Sequence, residues 1–416
     1  MIYVSGISGT GMGPLALMAK NAGLLVCGSD LNEGAIFPEL EKSGIEVKIG
    51  EQDGKFLQEK LDEGVDWFVY TSALPEDHPE LLLAKKAGIK CTKRDDLTAF
   101  LVEKLGLKMV AVAGTHGKTT TTSMIVWAAL ELGLPVSYIV GTTLGFAPSG
   151  AYHNSDKYFI YEADEYDRNF LKFHPWLALI TCVTYDHADI YKTPEDYKQA
   201  FLRFEAQSEK SVKSAGIHDE YLFDKIVGEV RRKDANLALA AISAICEDLK
   251  TQGQNAPSRA EIIEVLNDFP GVGRRFERLS DGVYTDYAHH PEEIEATINV
   301  AQEEAKIRGK NGVVVLYQPH QNIRQYEVRA DYKKAFSGAD RVLWLPTYLT
   351  REDPNLPILT PEDLMEGIEC AEAVELDENL VQKIQDYLKR NYLVVLMTAG
   401  PADDWLSRNK NKLIEF

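Results

Sequence analysis

Residues 114–119 have the types and spacing needed to bind the phosphates of a nucleotide. They read Gly-Thr-His-Gly-Lys-Thr, between an apolar run at 107–112 and a helical pattern over Lys118–Glu131. Glycines let a backbone fold around phosphate oxygens, and a helix N-terminus directs N–H groups at them. A lysine here neutralises the β- and γ-phosphates, and a threonine hydroxyl can bind Mg²⁺. Val112 replaces the first glycine of the general phosphate-loop template, so a tight turn with a solvated lysine is the alternative.

A second glycine-rich turn, residues 6–13, also follows a strand pattern and opens a helix. Asp30 ends the next predicted strand, close to the spacing of a carboxylate that binds ribose in dinucleotide sites. The pattern fits NAD, another nucleotide diphosphate, or close packing of a helix on a strand. Because residues 114–119 form a separate phosphate turn, this first turn need not hold ATP.

Acidic and histidine side chains follow two apolar runs of the middle segment. Residues 162–167 follow the run at 158–161, and Asp186-His187 follows the run at 177–183. Carboxyl ends of parallel strands share one edge of a sheet, where ligand crevices form. A carboxylate and an imidazole beside a phosphate turn can hold Mg²⁺ for ATP chemistry. A solvated acidic loop and a structural histidine are the alternatives.

The last third of the chain has three polar clusters near predicted strand ends. They are Arg274-Arg275-Phe276, residues 286–291 and residues 318–324. An arginine pair beside a hinge can bind a carboxylate or a phosphate, although an exposed basic pair is the alternative.

Apolar runs alternate with helical patterns along the chain, which predicts parallel sheets covered by helices. The pattern restarts near residue 106 and again after the turn at 268–273. We therefore expect three α/β domains: 1–106, Rossmann-like; 107–272, of the phosphate-loop type; and 273–416, Rossmann-like. The polar stretch 207–233 is expected to be irregular, which makes the central domain a trimmed one.

The amino-acid composition and net charge disfavour several classes of function. The chain has 416 residues, is 45% hydrophobic and carries a net charge of −19, which disfavours nucleic acid and anionic membranes as partners. No apolar run reaches the roughly 18 residues of a membrane-spanning helix. The five cysteines are scattered without a CxxC pair, which favours buried thiols in a reducing cytoplasm over disulfides or a zinc site.

In their order along the chain, these motifs resemble the Mur ligases of bacterial cell-wall synthesis. The resemblance rests on residues 114–119, 162–167, 186–187, 271–276 and 286–291. It implies a cytoplasmic enzyme, monomer or homodimer, that couples ATP cleavage to amide-bond formation on a UDP-linked muramyl precursor.

Further segments are similar to the alanine-adding branch of the family. They are residues 6–12, 28–30 and 318–324. This similarity implies UDP-N-acetylmuramate and L-alanine as substrates. The murein-peptide branch, which adds a recycled tripeptide, is the alternative.

The resemblance also implies roles for individual residues. The ATP ligands would be Gly114, Thr115, His116, Gly117, Lys118, Thr119, Thr120, Asn236, Arg275 and Asp286. Thr119, Glu162 and His187 would bind two Mg²⁺ ions. The UDP-sugar ligands would be Gly9, Thr10, Gly11, Met12, Asp30 and Ser72. Tyr287, His289 and Arg324 would orient the amino acid. The catalytic residues would be Lys118, Glu162, His187 and His289.

The sequence departs from the family pattern in places. Arg232-Lys233 stands shortly before the next predicted helix, where the family has a His-Asn pair that contacts adenine, and Asn236 matches a later asparagine. Gln321 stands where alanine-adding enzymes often have arginine. Leu202 falls near the carbamylated lysine of some sister ligases, so no such lysine is predicted.

Two further hypotheses belong to other functional classes. A nicotinamide-dependent dehydrogenase would use residues 6–11 and Asp30 but would leave Lys118, Glu162 and His187 without a role. A non-catalytic nucleotide-binding relative would account for the trimmed centre and the altered adenine segment.

Overall fold

The structure is a computed structural model that describes residues 1–34, 36–71, 74–187, 190–216, 222–350 and 352–414. Ser72, assigned above to the UDP-sugar, lies outside these residues. The chain forms two compact units. The first unit is Met1–Asp224 with Lys233–Pro270, and the second is Lys225–Arg232 with Gly271–Phe416. The fold is a three-domain α/β fold with one sheet in each domain, and the first unit contains the first two sheets.

The N-terminal domain is a five-stranded parallel sheet of order β3-β2-β1-β4-β5. Its strands are β1 Ile2–Ser5, β2 Val26–Asp30, β3 Glu46–Ile49, β4 Trp67–Tyr70 and β5 Lys90–Lys93, and its helices are α1 Met12–Asn21, α2 Phe37–Lys42, α3 Lys55–Asp62, α4 Pro79–Lys86 and α5 Arg94–Leu105. Alternate residues of β1 point to opposite faces, because strand side chains have a period of two. Val4 packs in a core with Leu15 and Leu101, whereas Tyr3 packs with Leu57 and Leu81, so helices cover both faces.

The central domain is a six-stranded sheet of order β11-β10-β6-β9-β7-β8. Its strands are β6 Lys108–Ala113, β7 Val136–Ile139, β8 Gly150–Ala151, β9 Tyr158–Glu162, β10 Leu177–Ile180 and β11 Ser211–Lys213, and its helices are α6 Lys118–Glu131, α7 Pro194–Ala206, α8 Glu229–Thr251 and α9 Arg259–Asn267. Strand β6 pairs in parallel with β9 on one side and β10 on the other. The turn after β6 therefore lies between the segments that follow its two neighbours.

The two sheets of the first unit share one apolar core. Met12 and Leu15 of the N-terminal domain belong to the same buried cluster as Met109, Tyr161 and Phe170 of the central domain. Each fully buried large side chain contributes about 1.5–3 kcal/mol. Through this shared core, the two glycine-rich turns belong to one compact unit.

The second unit contains a six-stranded sheet of order β12-β13-β17-β14-β15-β16. Its strands are β12 Glu277–Ser280, β13 Val283–Asp286, β14 Val313–Gln318, β15 Arg341–Trp344, β16 Ala371–Ala373 and β17 Leu393–Thr398, and its helices are α10 Pro291–Ile307, α11 Asn322–Val328, α12 Tyr332–Ala335, α13 Pro361–Leu364, α14 Glu378–Lys389 and α15 Ala402–Ile414. Val315 packs with Ile294 and Ile298, and Val314 packs with Leu380 and Leu406, so this sheet is also covered on both faces.

Two expectations about regular structure are wrong. The strands β8 and β12 are antiparallel to their neighbours, because neither connection contains the crossover helix that a parallel pair requires. The stretch 207–233 is not irregular throughout, since β11 and the start of α8 lie in it. Residues 229–233 lack glycine and proline and are mostly good helix formers, so α8 starts early and contains both Arg232 and Lys233.

The sequence also predicts buried thiols without disulfides and no membrane-spanning helix. Among the described residues no disulfide forms; Cys27 and Cys246 are buried, whereas Cys91, Cys182 and Cys370 are partly exposed. Buried thiols are therefore confirmed for two of the five. No helix in the described part of the chain is long and apolar enough to cross a membrane.

A buried carboxylate links the first sheet to α4. Glu80 is only 1% exposed, and its oxygens accept hydrogen bonds from the hydroxyls of Tyr3 at 2.6 Å, Ser5 at 2.7 Å and Ser29 at 2.7 Å. The side-chain amide of Gln52 donates to Glu80 at 3.3 Å and to Ser29 at 2.8 Å. The network satisfies polar groups of β1, β2 and α4 that would otherwise be buried without partners.

Glu80→Ala is expected to lower the free energy of unfolding of the first unit by about 2–4 kcal/mol, because it leaves several buried donors without an acceptor. Glu80→Gln, which keeps one carbonyl oxygen, should cost about 1–2 kcal/mol. Urea titration followed by circular dichroism measures both. The control is Glu76→Ala on the exposed surface, with an effect within about 0.5 kcal/mol. Equal values for the Glu80 and Glu76 variants would show that the network does not stabilise the fold.

Candidate functional site

The turn after β6 contains two positions that strongly favour glycine. Gly114 has φ +141°, and a Cβ there would lie 2.0 Å from Oγ1 of Thr181. Gly117 has φ +84°, and a Cβ there would lie 2.7 Å from Oδ1 of Asp234. Positive φ and close approach both disfavour a side chain. The two glycines thus hold the backbone of the turn against the segment after β10 and against α8.

The N-terminus of α6, which begins at this turn, has features that suit an anion. Gly117 is its N-cap, and among the described residues no side chain caps it. Its first turn carries no acidic residue and contains Lys118, Thr119 and Thr120. Free N–H groups and the positive end of the helix dipole favour a phosphate here.

Lys118 forms a buried ion pair that the sequence did not predict. Its Nζ donates to Oε2 of Glu165 at 2.6 Å and to the carbonyl of Gly114 at 2.6 Å. The side chain of Glu165 is 1% exposed. Burial raises the pKa of Glu165, but Lys118 and His187 together give a net downward shift. Burial lowers the pKa of Lys118, but Glu165, Asp164 and Glu162 together give a net upward shift. Both groups therefore stay charged at neutral pH. The acidic run at 162–167 was the only sequence signal for Glu165.

Thr119 and Glu162 form the oxygen pair expected of a Mg²⁺ site. The Thr119 hydroxyl donates to Oε1 of Glu162 at 2.9 Å. The other oxygen of Glu162 is buried and accepts no hydrogen bond from any described residue. No group of three His, Cys, Asp or Glu side chains in the described ranges could hold a metal alone. Mg²⁺ is usually bound by one or two protein oxygens, with water and substrate phosphates completing the shell.

His187 lies at the same edge of the sheet, beside the ion pair. Its Nε2 is 3.6 Å from Oε1 of Glu165 and 3.8 Å from Oδ2 of Asp186, and its ring lies edge-on to Tyr166 at 5.1 Å. Burial lowers the pKa of His187, but Glu165, Asp186 and Asp164 together give a net upward shift. The backbone φ of +58° at His187 is strained for a non-glycine residue, as functional positions often are.

A cavity of about 200 Å³ opens beside these residues. Its lining is Arg94, Lys118, Ile139, Gly141, Tyr161, Glu162 and Asp164. Burial and the charge of Glu165 raise the pKa of Asp164. Arg94 comes from the N-terminal domain, and the sequence analysis missed it. The available signal was a basic pair, Lys93-Arg94, where β5 ends and α5 begins.

The remaining predicted residues of the phosphate turn hold its conformation. The Thr115 hydroxyl donates to the carbonyl of Thr184 at 2.7 Å and lies 2.9 Å from the Tyr197 hydroxyl. The backbone N–H of His116 donates to Sγ of Cys182 at 3.3 Å. These bonds tie the turn to the segment after β10.

The predicted adenine contact Asn236 has unused polar atoms. Its side chain is 2% exposed, and neither amide atom has a hydrogen-bond partner among the described residues. Arg232, by contrast, donates to Glu303 at 2.8 Å and to the carbonyl of Ile226 at 2.9 Å. The expectation that Arg232-Lys233 precedes the helix is wrong, because α8 already includes it.

The turn after β1 is held by Asp30. Oδ2 of Asp30 accepts the backbone N–H of Ser8 at 2.8 Å, and the hydroxyl of Ser8 is buried with no partner among the described residues. Gly9, Thr10 and Gly11 lie at the opening of α1, and Thr10 is exposed. The side chain of Met12, predicted to bind the UDP-sugar, is 4% exposed and belongs to the apolar core. A ligand here would meet the backbone of the turn rather than that side chain.

In the second unit, Asp286 organises the arginine segment. Its Oδ2 accepts the N–H of Phe276 at 2.7 Å, and its Oδ1 accepts the N–H of Ala288 at 2.8 Å. Burial raises the pKa of Asp286, and Arg275 lowers it by less, so the net shift is upward. Arg274 and Phe276 have φ of +56° and +50°, which is strained backbone at the segment predicted to bind an anion.

The predicted amino-acid ligands of the second unit lie near one another. The Tyr287 ring stacks with the guanidinium of Arg275 at 4.9 Å and lies 5.4 Å from the His289 ring. Burial lowers the pKa of His289, and Arg324 lowers it further, whereas Glu293 raises it by less than burial lowers it. The imidazole is thus neutral at neutral pH. The side chain of Arg324 forms no hydrogen bond or ion pair with any described residue, so its guanidinium is available for an anion.

Comparison with known proteins covers all three domains. The family model described as Mur ligase family, catalytic domain, matches residues 1–104; the Mur ligase middle domain matches 112–262; and the Mur ligase, glutamate ligase domain, matches 274–400. The predicted boundaries at residues 106 and 272 stay predictions. A UDP-N-acetylmuramate–L-alanine ligase from Mycobacterium marinum is 31% identical over 97% of this chain and 90% of its own length. That alignment runs over 455 positions, so the relative has segments that this chain of 416 residues lacks.

Solved structures agree on the fold. The UDP-N-acetylmuramate–alanine ligase of Thermotoga maritima superposes with a TM-score of 0.71 at 23% identity, covering 99% of both chains. A murein peptide ligase from Psychrobacter arcticus superposes with a TM-score of 0.61 at 20% identity, covering 100% of this chain and 99% of its own. With the family models and the full-length curated relatives, these matches show that the chain belongs to the Mur ligase family of ATP-dependent ligases.

Proposed function

We propose that this chain is a UDP-N-acetylmuramate–L-alanine ligase of peptidoglycan precursor synthesis. The observation that carries the proposal is the meeting of Lys118, Thr119 and Glu162 at one glycine-rich turn, beside a cavity of about 200 Å³. The identity of 31% with an alanine-adding relative supports the same assignment. Because ATP drives the reaction, we propose that the protein is located in the cytoplasm. We propose that it is a monomer or a homodimer.

The reaction needs two displacement steps, because a carboxylate is a poor electrophile. An oxygen of the muramyl carboxylate attacks the γ-phosphorus of ATP, the bond to the β,γ-bridging oxygen breaks, and ADP leaves. The amine of L-alanine then attacks the acyl carbon, the bond to the phosphate oxygen breaks, phosphate leaves, and the nitrogen loses a proton. Excluding water protects the acyl phosphate from hydrolysis.

The residues of the first unit would serve the first step. When ATP binds, the ammonium of Lys118 would leave Glu165 and pair with the phosphates. Thr119 and Glu162 would bind one Mg²⁺ and His187 a second. Bound Mg²⁺ neutralises phosphate charge. Asn236 would meet the adenine with its unpaired amide.

The remaining groups would hold the other substrates. The backbone of residues 9–11 and Asp30 would bind the UDP-sugar. Arg275 and Asp286 would contact ATP, whereas Tyr287, neutral His289 and unpaired Arg324 would orient the amino acid. An arginine matches a carboxylate with two parallel hydrogen bonds, which fits Arg324 for that role.

The assignment predicts phosphate release only when ATP, Mg²⁺, UDP-N-acetylmuramate and L-alanine are all present. A coupled phosphate assay that omits one component at a time measures this. Turnover with the cell-wall tripeptide in place of alanine would instead assign the murein-peptide reaction. Phosphate release that is independent of both the sugar nucleotide and the amine would contradict either ligase.

Lys118→Met is expected to lower the rate of phosphate release by roughly 100-fold or more, because a positioned cation is lost from the phosphates. It should also lower the free energy of unfolding by roughly 3 kcal/mol, since Glu165 becomes a buried unpaired charge. The double variant Lys118→Met/Glu165→Gln removes that charge, so urea titration should show most of the stability restored while activity stays low. Full activity in the stable double variant would remove Lys118 from the mechanism.

Glu162→Gln is expected to raise the Mg²⁺ concentration for half-maximal activity by about tenfold or more, because an amide oxygen is a weaker ligand than a carboxylate. The assay is a Mg²⁺ titration at saturating ATP. Glu195→Gln on the exposed start of α7 is the matched control and should leave the titration unchanged. Superimposable curves for all three proteins would exclude Glu162 as a metal ligand.

A further inference from the structure

We propose that Arg94 holds the muramyl carboxylate at the moment it attacks ATP. This inference rests on the proposed function and adds a positively charged residue that belongs to neither glycine-rich turn. The geometry points to it because the guanidinium of Arg94 lies against the first turn and Arg94 also lines the cavity beside the second turn.

One contact of Arg94 is with the first turn. Arg94 is the first residue of α5 and follows β5, at the carboxyl edge of the N-terminal sheet. A Cβ built on Gly11 would lie 2.6 Å from Nη1 of Arg94. The guanidinium therefore lies against the backbone at the start of α1, and glycine at position 11 leaves room for it.

The other contact is with the central cavity. Arg94 lines that cavity together with Lys118 and Glu162, the residues proposed for the phosphates and Mg²⁺. Its Cζ lies 5.8 Å from the centroid of the Tyr161 ring on β9. A group bound by Arg94 would thus reach the cavity where the γ-phosphate is expected.

The hydrogen-bonding capacity of Arg94 is unused. Its side chain is 29% exposed, yet among the described residues it donates no hydrogen bond. The nearest carboxylate oxygen is Oδ1 of Asp95 at 3.8 Å, and that oxygen already accepts the Tyr161 hydroxyl at 2.7 Å. Arginine stays protonated and has five N–H donors in a fixed fork. A partly buried cation with its donors unpaired is built for an anionic ligand.

The chemistry selects the carboxylate as that ligand. The muramyl carboxylate must approach the γ-phosphate closely, and both groups are negatively charged. Glu162 and Asp164 add further negative charge to the cavity lining. An arginine that pairs with the carboxylate offsets this repulsion and orients an oxygen towards phosphorus, and its planar fork matches a carboxylate with two hydrogen bonds.

The test compares two sugar nucleotides that differ in the carboxylate. UDP-N-acetylmuramate carries a lactyl carboxylate, whereas UDP-N-acetylglucosamine has the same nucleotide and sugar without it. Calorimetry without ATP on Arg94→Met should show about 10- to 100-fold weaker binding of the first, and binding of the second within about twofold of wild type. Arg94→Lys keeps the charge but loses the planar fork of donors. Its affinity for UDP-N-acetylmuramate should therefore lie between those of wild type and Arg94→Met.

Kinetics provides an independent measurement. Arg94→Met should raise the KM for UDP-N-acetylmuramate by about tenfold or more while the KM for ATP changes by less than about twofold. The control is Lys172→Met, which removes an ion pair of 2.6 Å between Lys172 and Asp96 of α5 but does not touch the cavity. This control should keep the KM values for UDP-N-acetylmuramate and for ATP unchanged. It therefore separates loss of the carboxylate contact from loosening of α5.

Three outcomes would overturn the inference. Equal weakening for both sugar nucleotides would assign Arg94 to the diphosphate. Unchanged binding in a folded Arg94→Met protein would exclude a ligand contact, and equal losses in the Lys172 control would show a purely structural effect. If Arg94→Met does not fold, Arg94→Lys decides by the same comparison. Failure of the proposed function is distinct, because the wild-type protein itself would then show no turnover dependent on UDP-N-acetylmuramate.

Discussion

The close approach of the phosphate turn to its neighbouring strand end is the constraint on which the site depends. Gly114 lies so near Thr181 that a Cβ would overlap the threonine hydroxyl at 2.0 Å. This approach brings the turn after β6 against the segment after β10, while β9 on the other side supplies Glu162. Lys118, Glu165 and His187 can then meet within a few ångströms. A larger residue at 114 would separate the groups that the chemistry must combine.

Electrostatics explains how an acidic protein can bind anionic substrates. The net charge of −19 gives an overall field that repels nucleotides, so attraction must come from local groups. In the proposed roles, the helix terminus at Gly117 and the cations of Lys118, Arg94 and Arg324 would supply it. Lys118 is held by Glu165, whereas Arg94 and Arg324 have no hydrogen bond from their guanidinium groups to any described residue. The cationic groups therefore differ in how much a ligand must displace before it binds.

Much of the fold followed from local pattern, and the errors have physical reasons. The helix Lys118–Glu131 begins and ends as predicted, because glycine precedes it and its sequence favours helix. The antiparallel strands β8 and β12 were missed because strand direction depends on what the connection contains, not on the strand residues. The start of α8 at Glu229 was missed because a polar helix face resembles a loop in composition.

The order of the motifs, the α/β class and the residue types that can bind phosphate and Mg²⁺ could be read from the amino-acid sequence alone. These features depend on the spacing of residues that are close in the chain, such as the glycines and lysine of residues 114–119. That spacing is directly visible in the sequence. Only the tertiary structure revealed Glu165 as the partner of Lys118, placed Met12 in the core, and brought Arg94 from another domain to the cavity. Such contacts join residues far apart in the chain, and they arise from how two sheets pack around a shared core, which no short segment encodes.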